Sequence, residues 1–105
     1  MNTQLKKGIL DVCVLAVLSR GESYGYQMLK DLSKLIELSE STLYPVLRRL
    51  EAAGYVYVHS IEHEGRLRKM YTITPNGKAQ MIDFLNDWKE LQIVYEYIKE
   101  SVNHD

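Results

Sequence analysis

The candidates for catalysis or metal ligation in this 105-residue sequence are Cys13, His59, His63 and His104. His59 and His63 stand four apart, the spacing at which two imidazoles on one helix face share a metal ion. They lie, however, in "YVYVHSIEH" (residues 55–63), whose valine, isoleucine and tyrosine content predicts a strand. Four strand residues span roughly 13 Å, too far for one ion. No serine, cysteine or paired carboxylate sits in a recognisable catalytic context, so no catalytic residue, metal site or cofactor is assigned. Cys13 is the sole cysteine and lies inside the apolar run "VCVLAVL" (12–18). It cannot form an internal disulfide and is expected to be a small buried hydrophobe.

The remaining chemistry is that of cations. Arg48 and Arg49 fall in "STLYPVLRRLEAAG" (41–54), and Arg66, Arg68 and Lys69 in "GRLRK" (65–69). The net charge of −1 conceals an uneven distribution. Residues 1–81 carry 11 Lys or Arg against 8 Asp or Glu, whereas residues 82–105 carry 2 against 6. A basic cluster is by default a solvated surface, and only the elements that present it can give it a role.

The length suits one domain, with a core that a partner could complete. The apolar run at 12–18 is far shorter than the roughly 20 residues of a membrane span, and no cleavable leader precedes it, which predicts a cytoplasmic protein without membrane contact. From Leu5 to Leu18 the apolar residues form more than one stripe, predicting a helix apolar nearly all round. Gly21 then fits a helix end, Ser23 a cap, and "YGYQMLKDLSKLI" (24–36) a second helix facing inward through Met28, Leu29, Leu32 and Leu35 or Ile36. Gly25 in its first turn costs helix stability unless something packs closely there. A third helix is capped by Ser39 or Ser41 and ends at Gly54. The segments 55–63 and 68–74 then predict a β-hairpin with a loop of several residues. Thr74 followed by Pro75 marks the start of a last helix. On it Met81, Leu85, Trp88, Leu91, Tyr95, Ile98 and Val102 recur at steps of three and four, approximating a coiled-coil seam. A helix of that length overhangs so small a core, which predicts a dimer contact.

On the third helix, Leu43, Val46, Leu47 and Leu50 share one arc. The opposite arc holds Ser41, Pro45, Arg48 and Ala52, flanked by Tyr44 and Arg49. A face so slim at its N-terminal end can enter the major groove of DNA, with the arginines reaching bases or phosphates. Pro45 lacks an N–H and disfavours helix at Tyr44, so the first turn is expected to be distorted or the helix to begin near Thr42. Its ring suits contact with a thymine methyl. Two helices, a short connection, a third helix and a hairpin with a basic turn is the order of a winged helix-turn-helix. The expected fold is therefore mainly α with a small β-hairpin: a winged helix-turn-helix DNA-binding domain over residues 1–74 and a C-terminal dimerisation helix over 75–105, forming one structural unit.

"YGYQMLKDL" (24–32), "LSESTLYPVLRRLEAAGYV" (38–56), "EGRLRKMYTITPNGK" (64–78) and the helix bearing Trp88 resemble the PadR family of bacterial transcriptional regulators, in particular its short subgroup. The resemblance runs from about Leu5 to Leu91. It implies a homodimeric repressor of an inverted-repeat operator in double-stranded DNA, with the C-terminal helix crossing to the partner subunit. Carried onto this sequence, it places DNA contacts at Ser39, Ser41, Thr42, Tyr44 and Arg48 and, in the wing, at Arg66, Arg68 and Lys69; Pro45 and Arg49 join them from the helix geometry. Leu67 stands where the family often has proline, and Met70 where an aromatic is usual; both departures leave the charges intact.

The family also implies an aromatic or hydrophobic small-molecule effector in some members. Trp88 with Leu5 and Ile9 is the candidate lining of such a pocket. An aromatic on a helical seam is more often dimer core than ligand platform, so the same residues, with Met81, Leu85, Leu91, Tyr95 and Ile98, are read first as a dimer interface. The rival class is a winged helix serving only as a protein-interaction module, which would have no need of Arg48, Arg66, Arg68 and Lys69 on the two DNA-facing elements.

Overall fold

The computed structural model describes residues 3–104, and the side chains of residues 8–104. Four helices and one hairpin follow in the order α1 (Thr3–Ser19), α2 (Gly25–Leu32), α3 (Glu40–Ala52), β1 (Val56–His63), β2 (Arg66–Ile73) and α4 (Pro75–Val102). This is the mainly helical architecture of a winged helix with a long terminal helix. The core gathers Leu10, Val14, Leu15 and Leu18 of α1, Met28 and Leu32 of α2, and Leu43, Val46, Leu47 and Leu50 of α3; Val56 and Tyr71 close it from the hairpin. The leucine arc anticipated on α3 is thus the arc it buries.

The connection into α2 departs from expectation. Ser23 does not cap the helix; it is buried and exchanges backbone bonds with Tyr71, at 3.1 Å for its N–H and 2.8 Å for its carbonyl. This antiparallel bridge lays residue 23 alongside β2 as a minimal third strand. Tyr24 is the extended residue at the helix N-cap. α2 also stops at Leu32 instead of running to Ile36: the Leu35 N–H bonds only three residues back, to the Leu32 carbonyl, which tightens the chain into a turn, and Leu35 is exposed while Ile36 packs against the core.

α3 is continuous from Glu40, with Ser39 at its N-cap and Pro45 inside it. The expected late start near Thr42 does not occur. The missing Pro45 N–H deprives the Ser41 carbonyl of its helical partner, but Ser41 and Pro45 lie on the exposed face, where solvent can replace it. The far end closes in a Schellman motif: Tyr55 N–H donates to the Leu50 carbonyl and Gly54 N–H to that of Glu51, with Gly54 at φ +80°.

The hairpin is tighter than anticipated. β1 and β2 pair in antiparallel register from Val56↔Ile73 to His63↔Arg66, leaving only Glu64 and Gly65 as the turn. Both have positive φ, 50° and 77°, as a two-residue turn that follows the strand twist requires. Arg66 is consequently a strand residue and not a loop residue, joining Arg68 on β2.

α4 begins as the Thr-Pro pair predicts. The Thr74 hydroxyl accepts from Gly77 N–H at 3.1 Å and donates to the Gly54 carbonyl at 2.6 Å. Gly77 is the one buried residue of the helix. α1 supports its first turns, with Met81 packed against the core. At 28 residues it is about 42 Å long, and every residue from Leu85 to His104 is exposed. The molecule accordingly measures 66 × 26 × 21 Å. No helix among the described residues is long and apolar enough to cross a membrane.

Candidate nucleic-acid interface

The exposed face of α3 carries Ser41, Thr42, Tyr44, Pro45 and Arg48, with Ser39 at its mouth. Burial of Leu43, Val46, Leu47 and Leu50 on the opposite side forces that orientation. The Ser39 hydroxyl lies 2.9 Å from that of Ser41 and 3.2 Å from that of Thr42. It makes no cap bond to the backbone; the Thr42 N–H turns back to the Ser39 carbonyl at 3.1 Å, which leaves the N–H groups of Glu40 and Ser41 as the uncapped donors beside three hydroxyls. Such an end suits phosphate oxygens through both the N–H groups and the helix dipole.

The two arginines of α3 part company. Arg48 is exposed on the slim face. Arg49 is ion-paired to Asp11 of α1, with both its Nε and Nη2 directed at that carboxylate. Arg49 is therefore held toward α1, separately from the other residues singled out for DNA contact.

Strand alternation divides the basic cluster of the wing. Arg66 and Arg68 project from one face, beside their cross-strand neighbours His63 and Ile61. Lys69 and Leu67 project from the other, and Leu67 is 81 % exposed. The Arg68 guanidinium carbon sits 3.8 Å from the centroid of the Tyr24 ring. Tyr24, Tyr26 and Tyr44 line, with Arg66, Arg68 and Lys69, a single broad groove between the start of α2, the outer face of α3 and the wing. The sequence reading did not include Tyr24, Tyr26 or Tyr71 at this surface; the aromatic pair in "YGY" was its only signal. Tyr71 ties wing to helix from below. Burial, then the nearby Glu51 and Tyr44, push its hydroxyl pKa above the ordinary tyrosine value, with Arg48 opposing. Cys13, expected to be buried, is half-buried and packs against the edge of the core; desolvation raises its thiol pKa above the ordinary cysteine value.

His59 and His63 lie on β1, on a strand as anticipated. His59 Nε2 is 3.5 Å from a carboxylate oxygen of Glu22, and His63 Nε2 is 3.8 Å from one of Glu64. They serve separate surface contacts.

The other exposed feature is α4. Trp88, Leu91, Val94, Tyr95 and Ile98 line an apolar groove of about 400 Å³, and Phe84 stacks on Trp88 with centroids 6.1 Å apart. Of the residues expected at a dimer contact, Leu85, Trp88, Leu91, Tyr95 and Ile98 are exposed, whereas Met81 packs on its own core and Ile9 is half-buried. The side chain of Leu5 lies outside the described residues.

Comparison with known proteins matches this geometry to a family. The profile described as "Transcriptional regulator PadR-like family" covers residues 14–83. The transcriptional regulator Rv3488 of Mycobacterium tuberculosis is 35% identical, over 67% of this chain and 66% of its own length. A PadR family transcriptional regulator from Eggerthella lenta superposes with a TM-score of 0.83 at 31% identity, over 92% of this chain and 87% of that one. Bacillus subtilis PadR, solved in complex with operator DNA, superposes with a TM-score of 0.67 at 28% identity, over 73% of this chain and 46% of that one. This chain thus spans about half the length of that longer relative.

Proposed function

The chain belongs to the PadR-like family of transcriptional regulators, and we propose from that premise that it acts as a homodimeric, cytoplasmic repressor of an inverted-repeat operator. Ser39, Ser41, Thr42, Tyr44, Pro45 and Arg48 face the major groove, and Arg66, Arg68 and Lys69 hold the flanking backbone. The observation that carries this reading is the shared groove: Tyr44 from the exposed face of α3 and the basic residues Arg66, Arg68 and Lys69 of β2 line the same concavity, with no acidic residue among those lining it. The operator-bound relative of the same fold supports it. Two copies joined through α4, from Leu85 to Ile98, would give the two-fold symmetry an inverted repeat needs. The groove at Trp88 also suits an aromatic or hydrophobic small molecule held between subunits, whose binding would release DNA.

The test is fluorescence anisotropy of the purified protein on a duplex carrying the region upstream of its own gene, against a shuffled duplex, at two salt concentrations. Tight, salt-sensitive and sequence-selective binding supports the reading. Absence of binding to either duplex at low salt overturns it and favours a protein-interaction module.

A further inference from the structure

We infer that Tyr24 is a positioning residue for the wing: its ring holds the Arg68 guanidinium in the orientation in which the wing meets DNA. This rests on the DNA-binding reading above. The Ser23–Tyr71 bridge fixes the backbone of residue 23 against β2, and Tyr24 follows it in extended conformation, at φ −126° and ψ 165°. Its ring is thereby brought to the face of the hairpin that carries Arg68, 3.8 Å from the guanidinium carbon. An aromatic face attracts a cation while leaving the guanidinium N–H groups, which point outward in its plane, free to donate. Among the described residues Arg68 has no carboxylate partner, so stacking orients the charge without neutralising it. The adjoining Gly25 lies under Tyr44 of α3. The dipeptide Tyr24–Gly25 therefore touches the wing with one residue and the recognition helix with the next, and sets the spacing between the two. Arg66, projecting from the same strand face beyond Arg68, has no such support and follows the position of its neighbour.

The alternative role for Tyr24 is direct, through its hydroxyl on a phosphate, and substitution separates the two. In the free protein, the Arg68 Nε–H resonance should be displaced by the ring current in the native chain and in Tyr24→Phe, and return to its random-coil position in Tyr24→Leu. On duplex DNA of random sequence at low salt, Tyr24→Phe should bind as the native protein does, and Tyr24→Leu roughly two- to fivefold more weakly for each wing. In an Arg68→Ala background the Leu substitution should add nothing further. Equal weakening by Phe and Leu, or additive losses from Tyr24→Leu and Arg68→Ala, would overturn the inference and give Tyr24 a contact of its own. Failure of the native protein to bind any duplex would instead sink the DNA-binding reading, and the positioning role with it. The resonance and the conservative Phe variant distinguish that outcome from a misfolded variant.

Discussion

The Tyr44 side chain of α3 rests on the bare Cα of Gly25 at the start of α2: a methyl group built on that glycine would meet the phenol oxygen at 2.6 Å and two ring carbons at 3.0 Å. The absence of a side chain at one element thus sets where an exposed aromatic sits on another. Gly25→Ala should leave the fold intact, since alanine favours helix and the obstructing atoms are the far end of a movable ring. The displaced ring should lower affinity for a selected operator about fivefold, the equivalent of about 1 kcal/mol for one misplaced contact. Anisotropy titration beside a thermal melt checks this. A lowered melting temperature with unchanged affinity per folded molecule would make the contact purely structural.

Gly77→Ala should behave in the opposite way. A methyl there would come 2.3 Å from the Tyr55 carbonyl oxygen and 2.8 Å from an Ile73 carbon, and backbone cannot swing aside as a ring can. The expected loss is about 1–3 kcal/mol of stability, as for an overpacked core, measured by urea denaturation. A midpoint equal to that of the native chain would mean that α4 shifts freely on the hairpin.

Arg48 and Arg49 are adjacent in sequence but should differ in effect. Arg48→Ala removes a free guanidinium from the slim face and should cost roughly 1–3 kcal/mol of discrimination between operator and random duplex if it grips a base edge bidentately. Arg49→Ala breaks the surface pair with Asp11 and should change discrimination little. Competition titrations read both, and equal losses would place Arg49 on the DNA.

Arg66→Ala together with Arg68→Ala should weaken binding to all sequences alike. Each lost phosphate contact flattens the dependence of log affinity on log salt by about 0.9. Titrations across a salt series measure that slope, and an unaltered slope would lift the wing off the backbone.

Leu85→Ala combined with Trp88→Ala should give a monomer in sedimentation, because both side chains lie on the unsupported stretch of α4, 61 % and 39 % exposed in the single chain. A dimer surviving both changes would meet through another surface.

What was legible in the sequence was what one element determines alone. The leucine arc of α3 and the Thr-Pro start of α4 were open to periodicity and capping rules. What escaped was set between elements. Ser23 has the chemistry of a cap, and only the proximity of Tyr71 turns its backbone into a strand partner instead. The same bridge delivers Tyr24 to Arg68, a contact between distant positions that no local pattern encodes. The role of Gly25 was open as a question, since a helix tolerates glycine there only for close packing, but the packing partner had to be seen. The two-residue wing turn was missed because Glu64 adopts positive φ, which a non-glycine residue rarely does.

Thr74 has one hydroxyl for two tasks, capping α4 and gripping the carbonyl at the end of the Schellman turn that closes α3. The long helix is thereby locked in rotational phase with α3, like a key cut on the same blank as its bow. Each residue added or removed beyond that joint would turn the apolar stripe by about 100° relative to the surface proposed to face DNA. In the proposed dimer, the sequence length between Thr74 and Trp88 is therefore a phase setting: it selects which face of the double helix the second subunit meets.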